Sequence, residues 1–249
     1  MRQHIPNFFT LLNAFSGCIA VIFAVRNELD YAALFVFIGI FFDFFDGLAA
    51  RALGVQSDLG VQLDSLADLI TSGLVPGIVM FQLLAMSQTG GWNATSPILD
   101  EGWSGVGPAF LPFAGFLITL SSAFRLARFN IDEDQLSSFI GLPTPANALL
   151  ILSLPLVLLF HGNDYLNSII LNPWFLIFVT LLSTYLLNSK IRLFALKFGN
   201  WSFKDNALRY IFVIVSLALI LTLKFLAIPF IVLFYLLSSL FSNILSVKP

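Results

Sequence analysis

From Asp43 to Asp68 the sequence reads DFFDGLAARALGVQSDLGVQLDSLAD, four helix-spaced carboxylates set inside or beside two runs apolar enough to cross a bilayer. On a helix, Asp43, Asp46, Gly47, Ala50 and Arg51 fall at i, i+3, i+4, i+7 and i+8 and so share one face. Gly60, Asp64 and Asp68, at i, i+4 and i+8, share a face of the next helix. The residues between contain Gly54, Gln56, Ser57 and Asp58, which suit a tight connection. The two helices are therefore expected to run antiparallel with their acidic faces opposed.

Four carboxylates so placed repel one another unless something cationic sits among them. No His or Cys lies near in sequence, so the donors are all oxygen, which suits a hard divalent ion, Mg²⁺ or Mn²⁺, rather than zinc. Such ions, held by a few carboxylates, keep positions open for phosphate oxygens. Gly47 and Ala50 remove side-chain bulk on that face, and Arg51 can grip a phosphate through two parallel hydrogen bonds. The expected substrate is a diphosphate. Acids within a membrane span are costly to keep, which favours a functional role over a structural one.

Outward from this stretch the composition is that of a polytopic membrane protein. Of the 249 residues, 58% are hydrophobic and 10% charged, and the mean hydropathy is +0.93. Eight apolar runs are read as spans, an all-α architecture of about eight transmembrane helices. They lie at about Ile5–Val25, Tyr31–Leu53, Gly60–Met86, Pro108–Leu126, Ala146–Phe160, Ile169–Leu187, Ala207–Leu223 and Leu226–Ile244. A six-helix catalytic core followed by a C-terminal helix pair, forming a single domain over residues 1–249, is the simplest description. The first run is long enough to span and is read as a retained helix rather than a signal peptide. Ser87 to Gly107, with Trp92 and Trp103 and no Lys or Arg, reads as a polar loop outside the membrane. The Asn93-Ala94-Thr95 triplet within it carries no weight as a glycosylation signal.

With the N-terminus inside, ten of the twelve Lys and Arg residues fall on the inner side and only Arg26 and Lys224 outside. That places the acidic stretch near the cytoplasmic face of a cytoplasmic membrane. The lone Cys18 excludes an intrachain disulfide and is read as a small packing residue. Twenty-eight Phe residues speak for lipid and interhelical packing, and the absence of a basic tract argues against nucleic acid as a partner.

The pattern Asp43-x2-Asp46-Gly47-x2-Ala50-Arg51-x8-Gly60-x3-Asp64-x3-Asp68 resembles the full signature of the CDP-alcohol phosphatidyltransferases, with every position and spacing present. The resemblance implies an enzyme in which an alcohol attacks a CDP-linked lipid and releases CMP. It implies Asp43, Asp46, Asp64 and Asp68 as ligands of two divalent ions, and Asp68 as the base that takes the alcohol proton. Physical reasoning on the sequence leaves the choice of base between Asp64 and Asp68 open. In the family an Asn-x-x-Thr pattern, here Asn7 and Thr10, borders the nucleotide pocket; helix capping is the plainer reading of that pair. Gly47, Ala50, Arg51 and Gly60 complete the expected substrate-binding set.

Arg125-Leu126-Ala127-Arg128-Phe129-Asn130 and Gly141-Leu142-Pro143-Thr144-Pro145-Ala146 resemble segments of the members that use serine. The implied partners are CDP-diacylglycerol, L-serine and membrane lipids, with Arg125 and Arg128 as candidates for the serine carboxylate. The plainer reading of either arginine alone is a positive-inside anchor. Glycerol 3-phosphate or an inositol phosphate is the alternative acceptor, a membrane prenyltransferase the more distant one, and a cation carrier the non-enzymatic one. A homodimer is compatible with all of these.

Overall fold

The computed structural model describes residues 4–89, 108–131, 139–193 and 203–246. Trp92, Trp103 and the Asn93 triplet lie outside the described residues, as do Arg2, Lys197 and Lys248 among the charges used to orient the chain.

Helix α1 (His4–Val25) and helix α2 (Leu29–Leu53) form a hairpin. Asn27, in the left-handed region at φ 62°, makes the turn, and Arg26 pairs with Glu28 at 2.9 Å. Ala20 and Ala24 of α1, with Ala32, Ala33 and Gly39 of α2, are buried, the small-residue contact that lets membrane helices approach closely. Gly54 then ends α2 at φ 63°, its N–H reaching the carbonyls of Ala50 and Arg51. Ser57 caps α3 (Asp58–Asp68) by accepting the Gly60 N–H at 3.1 Å. The reversal expected between the two acidic faces is built from these two residues.

Helix α3 runs through a wide π turn (Leu69–Leu74) into α4 (Val75–Thr89). Such turns inside helices are frequent at functional sites. Of the helices long enough to span, this one is the most enclosed, its apolar window being 78% buried, so it forms the centre of the bundle. Met80, Leu83 and Leu84 of α4 join one core with Ala20 and Ala24, Ile151 and Leu152 of α6 (Thr144–Phe160), and Leu176 of α8 (Pro173–Asn188). Helix α5 (Phe116–Ile131) is entered through a 3₁₀ stretch, Pro108–Gly115. The short α7 (Asp164–Ile170) meets α8 at 59°, a bend at Asn172-Pro173 inside what the sequence presents as one sixth span.

Five segments are long and apolar enough to cross a membrane: His4–Val25, Leu29–Leu53, Asp58–Gln88, Phe110–Ile131 and Asn206–Phe241. The last is not one crossing. It comprises α9 (Phe203–Leu223) and α10 (Ala227–Ser246), and the Phe212 and Phe234 rings stack 5.8 Å apart, whereas a straight helix would hold those residues roughly 33 Å apart. Lys224, at φ 51°, turns the hairpin. With the 17-residue α6 and the bent α7–α8 pair, the described residues hold an apolar helical segment at each of the eight runs expected, in an all-α integral membrane protein.

Two features depart from the expectation. Cys18 is exposed on the outer face of α1 instead of packing inside. Phe139–Ile140 and Arg192–Leu193 form a two-residue antiparallel pair, β1 with β2, in a chain read as wholly helical. Gly141, directly after β1, sits at φ 73°, and a Cβ there would lie 2.7 Å from the Leu187 carbonyl oxygen. Its glycine is thus required twice, by backbone conformation and by contact with the end of α8.

Candidate active site

The antiparallel arrangement of α2 and α3 brings carboxylate oxygens of Asp43, Asp64 and Asp68 within 4.8 Å of one another. Asp46, one turn beyond Asp43, is 7% exposed and accepts a hydrogen bond from Thr10 Oγ1 at 2.6 Å. It stands next to the triad rather than in it, although the charges of all four acids act on one another. Among the described residues, no basic side chain forms a salt bridge with any of the four. Three convergent carboxylates with no such salt bridge, all oxygen donors, are a set that can hold a hard metal ion.

Asp68 is 9% exposed and accepts from Asn13 Nδ2 at 3.2 Å. Asn13 is itself wholly buried, and its backbone carbonyl accepts from Thr71 Oγ1, on the π turn, at 3.2 Å. Helix α1 therefore contacts both acidic helices: Thr10 holds Asp46 and, one turn on, Asn13 holds Asp68. Sequence reasoning took Asn7 and Thr10 and stopped short of Asn13. The signal was present, because Asn7, Thr10 and Asn13, continued by Ser16, form one three-spaced polar stripe in a largely apolar helix.

The residues expected to meet the substrate lie around this centre. A Cβ on Gly47 would meet nothing within 4 Å except the Arg51 guanidinium at 3.9 Å, so open space faces the helix there. Arg51 is exposed and donates from Nε to the Gly47 carbonyl at 3.0 Å. Ala50 is half-buried beside it. Gly60 faces Asn7, whose Oδ1 would lie 3.5 Å from a Cβ built on that glycine.

The two arginines of α5 differ. Arg125 is half-buried, near enough to Asp68 for their charges to attract, and its Nε has no hydrogen-bond partner among the described residues. Arg128, one turn on, is exposed. Both border a cavity of about 20 Å³ with Asn188 and Ser189 at the end of α8. The end of α5 is tied to α3 by Asn130, which accepts from Ser65 Oγ at 3.0 Å and donates to Gln62 Oε1 at 3.1 Å. Those contacts, like Asn188, carry no sequence signal, since they depend on how α3, α5 and α8 pack.

The model of the CDP-alcohol phosphatidyltransferase family matches residues 3–186, ending before the α9–α10 hairpin. The chain is 34% identical over 147 residues to the CDP-diacylglycerol–serine O-phosphatidyltransferase of Bacillus subtilis, covering 57% of this chain and 70% of that one. It is 30% identical over 217 residues to the protein of the same name from Helicobacter pylori, covering 86% of this chain and 80% of the relative. The Saccharomyces cerevisiae protein of that name is 30% identical over 167 residues, which span 61% of this chain and 53% of the yeast protein.

Proposed function

The chain belongs to the CDP-alcohol phosphatidyltransferase family, and on that premise we propose that it transfers the phosphatidyl group of CDP-diacylglycerol to L-serine, giving phosphatidylserine and CMP. The observation that carries the chemistry is the convergence of Asp43, Asp64 and Asp68 beside the open face of Gly47. Serine is favoured as acceptor by the relatives that carry its name and by the half-buried Arg125 close to Asp68.

In this proposal Asp43, Asp64 and Asp68, with Asp46 beside them, would hold two divalent ions, Mg²⁺ or Mn²⁺. There they would supply positive charge against the diphosphate and the departing CMP. Gly47 and Ala50 leave room for the diphosphate against α2, and Arg51, at the exposed end, takes a phosphate oxygen. Asn7, Thr10 and Gly60 border the nucleotide. Asp68 accepts the proton of the serine hydroxyl as its oxygen bonds to phosphorus and the bond from phosphorus to the CMP oxygen breaks. Asn13 holds the Asp68 carboxylate in position for that transfer. Arg125 and Arg128 receive the serine carboxylate. Helix α3 begins at Asp58, close in sequence to the exposed Arg51, and in this proposal the site lies at the membrane face where the basic residues gather, the cytoplasmic one.

The test is serine-dependent CMP release by the purified protein in detergent. Release should require both substrates, stop on chelation of divalent ions, and return with Mg²⁺ or Mn²⁺. CMP release that proceeds with glycerol 3-phosphate and fails with serine would replace the acceptor and leave the family chemistry standing.

A further inference from the structure

Thr71, in the π turn that follows Asp68, is wholly buried and engaged on both arms of its side chain. Its hydroxyl donates to the Asn13 carbonyl at 3.2 Å and lies against Gly17 of α1, where a Cβ would collide with it. Its methyl lies against Gly39 of α2, where a Cβ would stand 2.6 Å from Thr71 Cγ2. A Cβ on Gly17 would also stand 3.1 Å from the Thr71 backbone nitrogen, so the turn itself fills part of the space that this glycine leaves. A β-branched side chain has little freedom at χ1, and between two helix backbones it has less.

This junction of three helices lies one turn from the site on each of them. Asn13 precedes Gly17 by four residues, Asp43 follows Gly39 by four, and Asp68 precedes Thr71 by three. One turn is about 5.4 Å along a helix axis, so a shift at the junction reaches the carboxylates with little loss. Two hydrogen bonds close a ring. Thr71 bonds the Asn13 carbonyl, the Asn13 amide donates to Asp68 at 3.2 Å, and the backbone from Asp68 to Thr71 completes the circuit. Asp43 is included through α2, whose approach to the π turn is limited by the Thr71 methyl on Gly39.

We propose that Thr71 is a positioning residue: seated between Gly17 and Gly39, it fixes where Asp68 stands against Asp43, and with that the spacing of the oxygen set offered to the divalent ion. This rests on the metal reading given above and extends it to a residue outside the signature. Removing a group that holds metal ligands in place typically costs about 10- to 100-fold in metal affinity or activity. The two arms of Thr71 can be separated. Thr71→Val keeps the branched shape and replaces the hydroxyl with a methyl that cannot bond the Asn13 carbonyl. Thr71→Ser keeps that bond and removes only the methyl on Gly39.

The test is equilibrium dialysis of Mn²⁺ alone against the purified protein in detergent, with kcat for CDP-diacylglycerol and serine and thermal unfolding measured on the same preparations. Thr71→Val should bind Mn²⁺ at least about tenfold more weakly than the wild type and lose kcat to a similar degree, while Thr71→Ser stays within about threefold in both. A folded Thr71→Val with Mn²⁺ affinity within about threefold of the wild type would overturn the proposal, as would equal losses in the Val and Ser variants, the mark of a residue that only fills space. Should Thr71→Val fail to fold, Gly39→Ala alone and combined with Thr71→Ser probes the same contact. Removal of the Thr71 methyl should then restore Mn²⁺ affinity by about threefold or more, and no restoration would overturn the proposal. A wild type that binds no Mn²⁺ would instead overturn the metal reading itself.

Discussion

Replacing Asn13 with Leu removes one hydrogen bond from the proposed base while nearly preserving volume. Asn13 is 0% exposed and its Nδ2 lies 3.2 Å from Asp68 Oδ1, so no solvent stands ready to take its place. A hydrogen bond to a charged group contributes about 1.5–3 kcal/mol. If that contribution is needed only when Asp68 must point at the acceptor hydroxyl, kcat falls by about 10- to 150-fold, at about 1.4 kcal/mol per factor of ten. The KM for CDP-diacylglycerol should move little, because the loss is confined to the reacting step. Steady-state kinetics with both substrates varied, alongside thermal unfolding in detergent, separates this from a folding defect. Gly39→Ala should reproduce the phenotype from the other side, since its Cβ would lie 2.9 Å from Asn13 Oδ1 and 2.6 Å from Thr71 Cγ2. A well-folded Asn13→Leu protein with kcat within about twofold of wild type would refute the reasoning, that change being far below one hydrogen bond.

Asp43→Asn and Asp64→Asn should each abolish turnover and weaken the dependence on divalent ion, because each deletes an anionic oxygen from a set of three within 4.8 Å; near-native activity at ordinary Mg²⁺ would remove that residue from the metal site. Asp68→Asn should keep binding of the CDP-lipid and lose chemistry, whereas a loss of lipid binding equal to that of Asp43→Asn would make Asp68 an ordinary ligand. Arg125→Lys should raise the serine KM by about tenfold, a planar fork giving way to a point charge, and Arg128→Lys, at the exposed rim, by less. Unchanged serine KM in both variants would take the arginines out of the acceptor site.

What the sequence made legible here is what depends on local chemistry. The acidic faces oppose each other because Gly54 and Ser57 make the reversal, and both residues stand in the stretch itself. The spans were readable because the bilayer sets length and composition; the first, expected from Ile5 to Val25, runs from His4 to Val25. Other features need contacts that no local pattern encodes. The β1–β2 pair joins Phe139 to Leu193 across three helices, and Asn188 takes its place from Ser121 on another helix. Cys18 illustrates a second limit: in a run apolar on every side, nothing separates the face that meets lipid from the face that meets helices. Asn13 lies between these cases, visible as a continued stripe yet without a partner until α3 is folded against α1.

The most direct test of the account is the identity of the lipid product. Purified protein given CDP-diacylglycerol and an equimolar mixture of serine, glycerol 3-phosphate and inositol phosphate, with Mg²⁺ or Mn²⁺, should yield phosphatidylserine as the new phospholipid by mass spectrometry, together with an equal amount of CMP. Phosphatidylglycerol phosphate or a phosphoinositide as the main product would contradict the acceptor assignment, and formation of phosphatidylserine undiminished after chelation would contradict the metal site.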